Sequence, residues 1–306
     1  MVSPTNPLRL VAGKLALDLA PEIGGSVASF RHHGIELMRP LSVTDWIAGN
    51  VLGVAMFPMT PYANRIAGNN FVFRGKAWGV SSNNPPERFN VHGTGWRRKW
   101  QVAQHKPAEA MLKLDVIEAG EAYSYRASQH FTLTSNALSV KMRLVNVGSE
   151  TLPFGFGLHP WFPRDADVTL AFRAQRFYLE EPEGVSGNSI TLAPELDFAM
   201  ARPLPLGWRN NNYGGWDGQA TLRFPSRGVG LTLSAGSLFK HLMLYADPTK
   251  PYFCLEPQSN ASGAFNRPGG FEDPEEGVIV LEPGESAEGT VRFEPFRIHP
   301  TPLGQP

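Results

Sequence analysis

The stretch Tyr123-Ser124-Tyr125-Arg126-Ala127-Ser128-Gln129-His130-Phe131-Thr132-Leu133 alternates apolar and polar side chains over most of its length. Successive side chains of a strand point to opposite faces, so this pattern predicts a strand buried on one face. Met111–Val116 before it and Leu138–Val145 after it alternate in the same way. Turn residues separate such segments at the spacing of about 8–12 residues that is typical of a sandwich or barrel. A helical turn is predicted around Val43–Ile47. The sequence therefore predicts one large all-β antiparallel domain with very little helix.

Length and composition limit the possible partners. The chain has 306 residues, 18% of them charged, with a formal net charge of zero. The chain lacks the excess of positive charge that is typical of proteins binding nucleic acid or an anionic membrane. A single domain over residues 1–306 is expected, with a core from about residue 8 to 295 and a loosely packed, proline-rich tail at 296–306. Whether it is a monomer or a homodimer stays open.

The compartment is inferred from cysteine and hydropathy. Cys254 is the single cysteine, which excludes an internal disulfide framework and is compatible with a reducing compartment. The first residues have neither a basic n-region nor an apolar h-region. No apolar run approaches the roughly 18 residues of a membrane span. We expect a cytoplasmic protein without a membrane anchor.

Two segments are predicted to be irregular. Phe57–Ile66 contains two prolines, which should exclude both a helix interior and a central strand. Because irregular segments accumulate ligand contacts, Asn64 and Arg65 are candidate binding residues, with a solvated surface arginine as the alternative. Ala201–Gly218 is rich in Asn and Gly and is predicted to be mostly loop.

Three titratable side chains share a local pattern. His92, His159 and Glu256 each stand beside a Gly or Pro and are predicted at strand ends, which a sandwich gathers onto common rims. With ordinary pKa values of about 4.3 and 6.5, Glu is an ionised base and His can carry a proton at neutral pH. No Gly-x-Ser-x-Gly motif supports a hydrolase triad, and no His-x-x-x-His pair favours a metal. We predict acid–base chemistry without a bound metal.

Four motifs in order resemble the aldose 1-epimerase (galactose mutarotase) family. They are Pro58-x-x-Pro-Tyr-Ala-Asn-Arg-Ile66, Asn90-x-His-Gly93, Gly157-x-His-Pro-Trp-Phe162 and Leu255-Glu-Pro257. The resemblance implies a β-supersandwich that interconverts the α and β anomers of a free aldose without a cofactor. It also implies that Glu256 removes the C1 hydroxyl proton, His159 protonates the ring oxygen, and His92 stabilises developing charge.

The same resemblance assigns sugar-binding roles. Arg65 and Asn64 would bind sugar hydroxyls, and Trp161 would either face the sugar or belong to the core. Family members often have a binding aspartate where this chain has Asn210. Asp217 is the nearest carboxylate and would either compensate or cap a Trp-Asp-Gly turn.

The preferred substrate and two other functional classes stay open. Galactose and glucose are the default sugars, arabinose and fucose remain open, and a phosphorylated hexose ranks lower. A noncatalytic sugar-binding or sensing protein on the same fold is one alternative. A β-domain of a polysaccharide-processing enzyme without its partner domain is the other.

Overall fold

The computed structural model describes residues 6–117 and 121–298. Antiparallel β-structure dominates these ranges, which confirms the predicted all-β class. The strands are β1 Leu8–Ala12, β2 Leu15–Ala20, β3 Ser26–His32, β4 Ile35–Glu36, β5 Met56–Met59, β6 Arg65–Ile66, β7 Asn70–Phe73, β8 Lys76–Gly79, β9 Asn90–Val91, β10 Gln101–Lys106, β11 Glu109–Val116, β12 Tyr125–Leu133, β13 Leu138–Asn146, β14 Leu152–Phe154, β15 Gly157–Pro163, β16 Thr169–Phe172, β17 Arg176–Glu180, β18 Ser186–Thr191, β19 Arg202–Pro203, β20 Arg209–Gly214, β21 Gln219–Phe224, β22 Val229–Ala235, β23 His241–Ala246, β24 Tyr252–Gln258, β25 Ile279–Leu281 and β26 Ser286–Arg297.

Helix is confined to short segments. The α-helix α1, Val43–Ala48, begins at Ser42, whose side chain accepts a hydrogen bond from the Asp45 amide, and ends at Gly49 with φ of 63°. An N-cap acceptor and a left-handed C-terminal glycine are the usual signals for helix ends. This helix confirms the predicted helical turn. Single 3₁₀ turns cover Val51–Gly53, Ala67–Asn69, Gly95–Arg97, Pro182–Gly184, Pro225–Arg227, Ala264–Asn266 and Pro274–Glu276.

Two large sheets dominate the architecture, and β14 with β25, β6 with β9, and β7 with β8 form three two-stranded sheets. The first sheet has eleven strands in the order β1-β2-β3-β5-β15-β24-β23-β20-β17-β18, with β4 added on β3. The second sheet has nine strands in the order β10-β11-β12-β13-β26-β22-β21-β16-β19. A core cluster combines Leu112 and Phe131 of the second sheet with Phe162 and Leu255 of the first. The sheets therefore pack face to face across a shared apolar interior.

The other face of the first sheet carries its own apolar cluster. On β24, Phe253 and Leu255 belong to the core between the sheets, whereas Cys254 belongs to the second cluster together with Phe57 and Trp161. This division follows from strand geometry, because alternate side chains project to opposite faces. A cavity of about 390 Å³ lies on this outer face, which is where the candidate site is found.

Three local predictions are wrong. Phe57–Met59 is part of β5, a central strand in which Pro58 lies opposite Leu158 of β15. Pro58 has no amide N–H to donate to a neighbouring strand. The strand β5 still pairs with β15 through the backbone groups of its other residues. Residues 209–214, predicted as loop, form β20, which pairs along its whole length with β23. The predicted loose tail from residue 296 begins too early, since β26 pairs with β22 as far as Arg297; residues 299–306 lie outside the described residues.

No helix within residues 6–117 and 121–298 combines the length and apolar character that a membrane crossing requires.

Candidate active site

The two central titratable residues lie in the middle of the first sheet. His159 is the third residue of β15 and Glu256 is the fifth residue of the adjacent β24. The pairs Gly157–Gln258 and Trp161–Cys254 bracket them, so the register places the two side chains side by side. The prediction that they stand at strand ends and meet at a rim is therefore wrong. They meet because their strands are neighbours.

His159 and Glu256 contact each other directly. The distance from His159 Nε2 to Glu256 Oε1 is 3.2 Å, and both side chains are buried. The Phe57 ring stacks on the imidazole at a centroid distance of 4.4 Å, and the Trp161 ring lies 4.7 Å away. His159 Nδ1 and Glu256 Oε2 are buried without a hydrogen-bond partner among the described residues. The pair is thus rigidly held and retains unused polar atoms at the base of the cavity.

Burial shifts both pKa values toward the neutral forms. Loss of hydration raises the pKa of Glu256 to about 8, against a smaller opposing effect of the Arg65 charge. Burial, with a smaller contribution from the Arg39 and Arg65 charges, lowers the pKa of His159 to about 3. Between these values the pair holds one proton in total. That proton can lie on the carboxyl or on the imidazole, and the two arrangements differ only by transfer across the 3.2 Å contact.

His92 completes the titratable group. It follows β9 with a left-handed φ of 59°, and its Nδ1 accepts a hydrogen bond of 3.1 Å from the Asn64 amide. Burial, followed by the His159 and Arg65 charges, lowers the pKa of His92 well below its ordinary value. With Nδ1 as acceptor, the neutral ring carries its proton on Nε2 and can donate it. The His92 and His159 ring centroids are 5.2 Å apart.

Arg65 is oriented by a partner that the sequence did not reveal. Its Nη2 and Nε donate to Glu87 Oε2 at 2.7 and 3.1 Å. Glu87 lies 22 residues further along the chain, in a polar segment with no pattern that marks it as a site residue. Asn64 is buried, and its Oδ1 accepts from the Arg65 amide, so its side chain shapes the turn that presents the guanidinium.

The two tryptophans of the cavity differ in exposure. Trp161 lines the cavity, but only 9% of it is exposed, because Arg39 lies 4.4 Å over its ring and Tyr252 packs edge-on at 5.0 Å. Trp208 also lines the cavity and is 51% exposed. Sequence reasoning did not select Trp208, although a tryptophan in a segment expected to be an exposed loop was a usable signal.

Asn210 and Asp217 have different locations. Asn210 lies on β20 and lines the cavity, where its Nδ2 donates to Glu180 Oε1 at 2.7 Å. Asp217 does not line this cavity; it is exposed in the turn after β20, and its Oδ1 accepts from the Gln219 amide at 3.0 Å. The idea that Asp217 compensates for Asn210 is therefore wrong, and the turn-capping alternative describes it. The other candidates, Asn64, Arg65, His92, Trp161, His159 and Glu256, line the same cavity.

One group of side chains near the pair has metal-binding chemistry. Ligand-type atoms of His159, Cys254 and Glu256 lie within 4.8 Å of one another. The nitrogen, sulfur and oxygen donor set is one that zinc accepts. The same lone pairs are needed for acid–base chemistry, so a metal there would compete with it.

Comparison with known proteins identifies the family. The family model described as aldose 1-epimerase matches residues 9–294. The uncharacterised protein YphB of Escherichia coli K12 is 35% identical over 296 residues, covering 92% of this chain and 97% of that protein. A crystal structure of a provisionally named aldose 1-epimerase from Escherichia coli K12 superposes with a TM-score of 0.88 at 32% identity, covering 96% of this chain and 99% of that one. A galactose mutarotase-like protein from Clostridium acetobutylicum shares the fold alone, with a TM-score of 0.79 at 20% identity over 95% of each chain. The chain belongs to the aldose 1-epimerase family and has its galactose mutarotase-like β-sandwich fold.

Proposed function

We propose that this protein interconverts the α and β anomers of a free aldose, with glucose and galactose as the first candidates. The observation that supports this most is the 3.2 Å contact between His159 Nε2 and Glu256 Oε1 at the base of a cavity of about 390 Å³. A cavity of this size suits a single sugar ring.

The geometry fits the bonds that must change. The hydroxyl oxygen O1 and the ring oxygen O5 are both bonded to the anomeric carbon, so a base for one and an acid for the other must be neighbours. Glu256 takes the proton of the O1 hydroxyl while His159 gives its proton to O5. The C1–O5 bond breaks, O1 becomes the aldehyde oxygen, and the ring opens. Rotation about C1–C2 and reversal of both transfers give the other anomer.

The pKa shifts support the same cycle. Ring opening begins with an ionised Glu256 and a protonated His159, and it ends with both groups neutral. Burial favours the neutral arrangement, as the raised pKa of Glu256 and the lowered pKa of His159 indicate. The protein environment therefore favours the protonation state that accompanies the open-chain intermediate. The same neutral arrangement is favoured in the free protein, so the proton passes from Glu256 to His159 across their contact before ring opening, and the reversed transfers of ring closure regenerate the ionised pair.

Arg65 and His92 have supporting roles in this proposal. Glu87 fixes the Arg65 guanidinium, whose remaining N–H groups can donate to sugar hydroxyls. His92 offers Nε2–H to the oxygen on which negative charge develops. A phosphorylated hexose fits less well, because Arg65 is the only Lys or Arg among the described residues that line the cavity, and Glu87 already pairs with it.

Polarimetry on freshly dissolved α-D-glucose and α-D-galactose tests the proposal. Wild type should accelerate mutarotation, and Glu256→Gln and His159→Asn should each lose about 10²-fold or more, the range for one positioned acid or base. Asp217→Asn, which changes an exposed carboxylate outside the cavity, should keep the full rate. Saturable sugar binding without acceleration would instead support a noncatalytic sugar-binding protein. Full activity of Glu256→Gln would refute the assignment of the base.

A further inference from the structure

A carboxylate outside the acid–base pair is held at the cavity in an unusual way. Glu180 is the last residue of β17, and the pair Phe177–Tyr213 sets a register that places it opposite Asn210 of β20. Its Oε1 accepts from Asn210 Nδ2 and its Oε2 accepts from Trp208 Nε1, both at 2.7 Å. Two neutral N–H donors thus fix both oxygens, and each oxygen still has acceptor capacity.

The charges around the cavity distinguish Glu180 from the other acidic side chains. Glu87 pairs with Arg65, and Glu183 pairs with Arg88 at 3.2 Å. Glu256 contacts His159. Among the described residues, Glu180 forms no ion pair with a Lys, Arg or His side chain, although it lines the cavity. It is therefore a fixed acceptor whose charge is available to a ligand.

Glu180 is placed to contact the end of a sugar remote from the anomeric carbon. In the first sheet, β24 with Glu256 and β17 with Glu180 are separated by β23 and β20. Three strand spacings correspond to about 14 Å between backbones, and both side chains extend into the cavity between them. A hexose with C1 at Glu256 can therefore direct a distal hydroxyl toward Glu180.

We propose that Glu180 is a substrate-binding residue, supplying from the neighbouring strand the carboxylate that Asn210 lacks. This inference rests on the proposed function. Glu180 accepts a hydrogen bond from a distal sugar hydroxyl and holds Trp208 as a side wall against the ring. Its charge also sets the substrate class: neutral aldoses and cationic amino sugars are accepted, whereas sugars with a phosphate or carboxylate are rejected.

An exchange of the two groups tests the proposal. Glu180→Gln removes the charge, and Asn210→Asp places two carboxylates side by side, so each single variant should lose about 10-fold or more in kcat/KM, mainly through KM. The double variant Glu180→Gln/Asn210→Asp restores one amide and one carboxylate and should recover much of the loss. Glu183→Gln is the matched control, because it removes an exposed carboxylate that Arg88 already pairs with, and it should change kcat/KM less than 2-fold.

Substrate charge provides the second readout. Wild type should process 6-amino-6-deoxyglucose, whose ammonium lies at the end remote from C1, at least as well as glucose, and glucose 6-phosphate at least about 10-fold less well. Glu180→Gln should reduce this preference while Glu183→Gln should not. Equal losses for all three sugars in Glu180→Gln, with no recovery in the double variant, would show that Glu180 only supports the fold and would overturn the proposal.

Binding separates failure of this inference from failure of the epimerase proposal. A change in tryptophan fluorescence on sugar addition that occurs in wild type and is absent in Trp208→Phe reports sugar bound beside Trp208. This signal does not require turnover. A sugar-dependent signal that Glu180→Gln weakens would support Glu180 even if wild type did not accelerate mutarotation. A signal of unchanged affinity in Glu180→Gln, or no signal with any of the three sugars, would overturn the role of Glu180.

Discussion

Replacement of the buried base should stabilise the folded protein while it abolishes activity. Glu256 is 2% exposed, and burial raises its pKa from 4.5 to about 8. The folded state therefore holds this proton more tightly than the unfolded chain does. Stability falls with increasing pH wherever the folded state binds more protons, so this carboxyl costs stability from about pH 4.5 upward, with the full cost reached above pH 8. Gln removes that cost because it has no charge to bury.

The magnitude follows from the two pKa values. At about 1.36 kcal/mol for each pKa unit, the cost grows by about 3 kcal/mol between pH 5 and pH 8. A chain of 306 residues unfolds with an entropy of about 0.6 kcal/mol/K near its midpoint. The Tm advantage of Glu256→Gln over wild type should thus increase by about 5 °C across that pH range.

Thermal unfolding of wild type and Glu256→Gln at several pH values between 5 and 8 measures the Tm difference, and urea unfolding at the same pH values measures the difference in unfolding free energy. The lowered pKa of His159 makes the folded state lose stability as the pH falls below 6.5, but this contribution is present in both proteins and largely cancels in the difference. Asp18→Asn is a contrasting control: Asp18 is also buried but pairs with Arg9 and Arg31, each at 2.6 Å, so its loss should destabilise the protein. A difference between Glu256→Gln and wild type that does not change with pH, or that shrinks as the pH rises, would refute the reasoning.

Three further predictions follow from the site. The Glu256–His159 pair holds one proton between its pKa values of about 3 and 8. The value of kcat/KM should therefore be flat at neutral pH and fall above about pH 8 as that proton is lost. A rise in kcat/KM above pH 8, measured by initial-rate polarimetry, would contradict this. Zn²⁺ should inhibit the wild-type protein. The Cys254→Ala variant should retain activity but require about 10-fold or more Zn²⁺ for the same inhibition. Equal inhibition curves for the two proteins would exclude the Cys254 thiol as a ligand. Arg65→Lys should raise KM by about 10-fold with little change in kcat. A lysine ammonium cannot make both contacts to Glu87 and also donate directional hydrogen bonds to sugar hydroxyls. An unchanged KM would show that Arg65 does not bind the sugar.

Strand periodicity and motif order were the informative parts of the sequence. Alternation over Tyr123–Leu133 and Leu138–Val145 predicts strands with one buried face, and the structure has β12 and β13 there as neighbours in the second sheet. The first sheet is harder to read because its central strands are buried on both faces. Residues of β15 and β24 are nearly all buried, so their polar side chains do not alternate in a recognisable pattern. The sequence pattern of such strands therefore predicts strand ends or loops.

Prolines and asparagines misled the prediction for a related reason. Pro58 and Pro160 lie within adjacent central strands, where general preferences place neither. The run Asn210–Asn212 looked like a loop, yet tertiary contacts satisfy these amides inside β20: Asn212 Oδ1, for example, accepts from Gln258 Nε2 at 2.6 Å. Local propensity could not anticipate partners 46 residues away. The same limit concealed Glu87 and Glu180, which become part of the site only through folding.

One face of the first sheet packs in the core between the sheets and the other carries the cavity. This division determines which amino-acid substitutions the fold tolerates. Side chains such as Phe253 and Leu255 hold the sheets together. On the opposite face of the same strand, Cys254 packs in the second apolar cluster and Glu256 lines the cavity. Substitutions on the cavity face therefore leave the interior between the sheets intact, and their energetic effects should add independently to those of interior substitutions. A library that randomises Trp208 and Asn210 should consequently yield mostly folded proteins with altered sugar preference. Substitutions that alter the substrate range can therefore accumulate on the cavity face without loss of the core that holds the two sheets together.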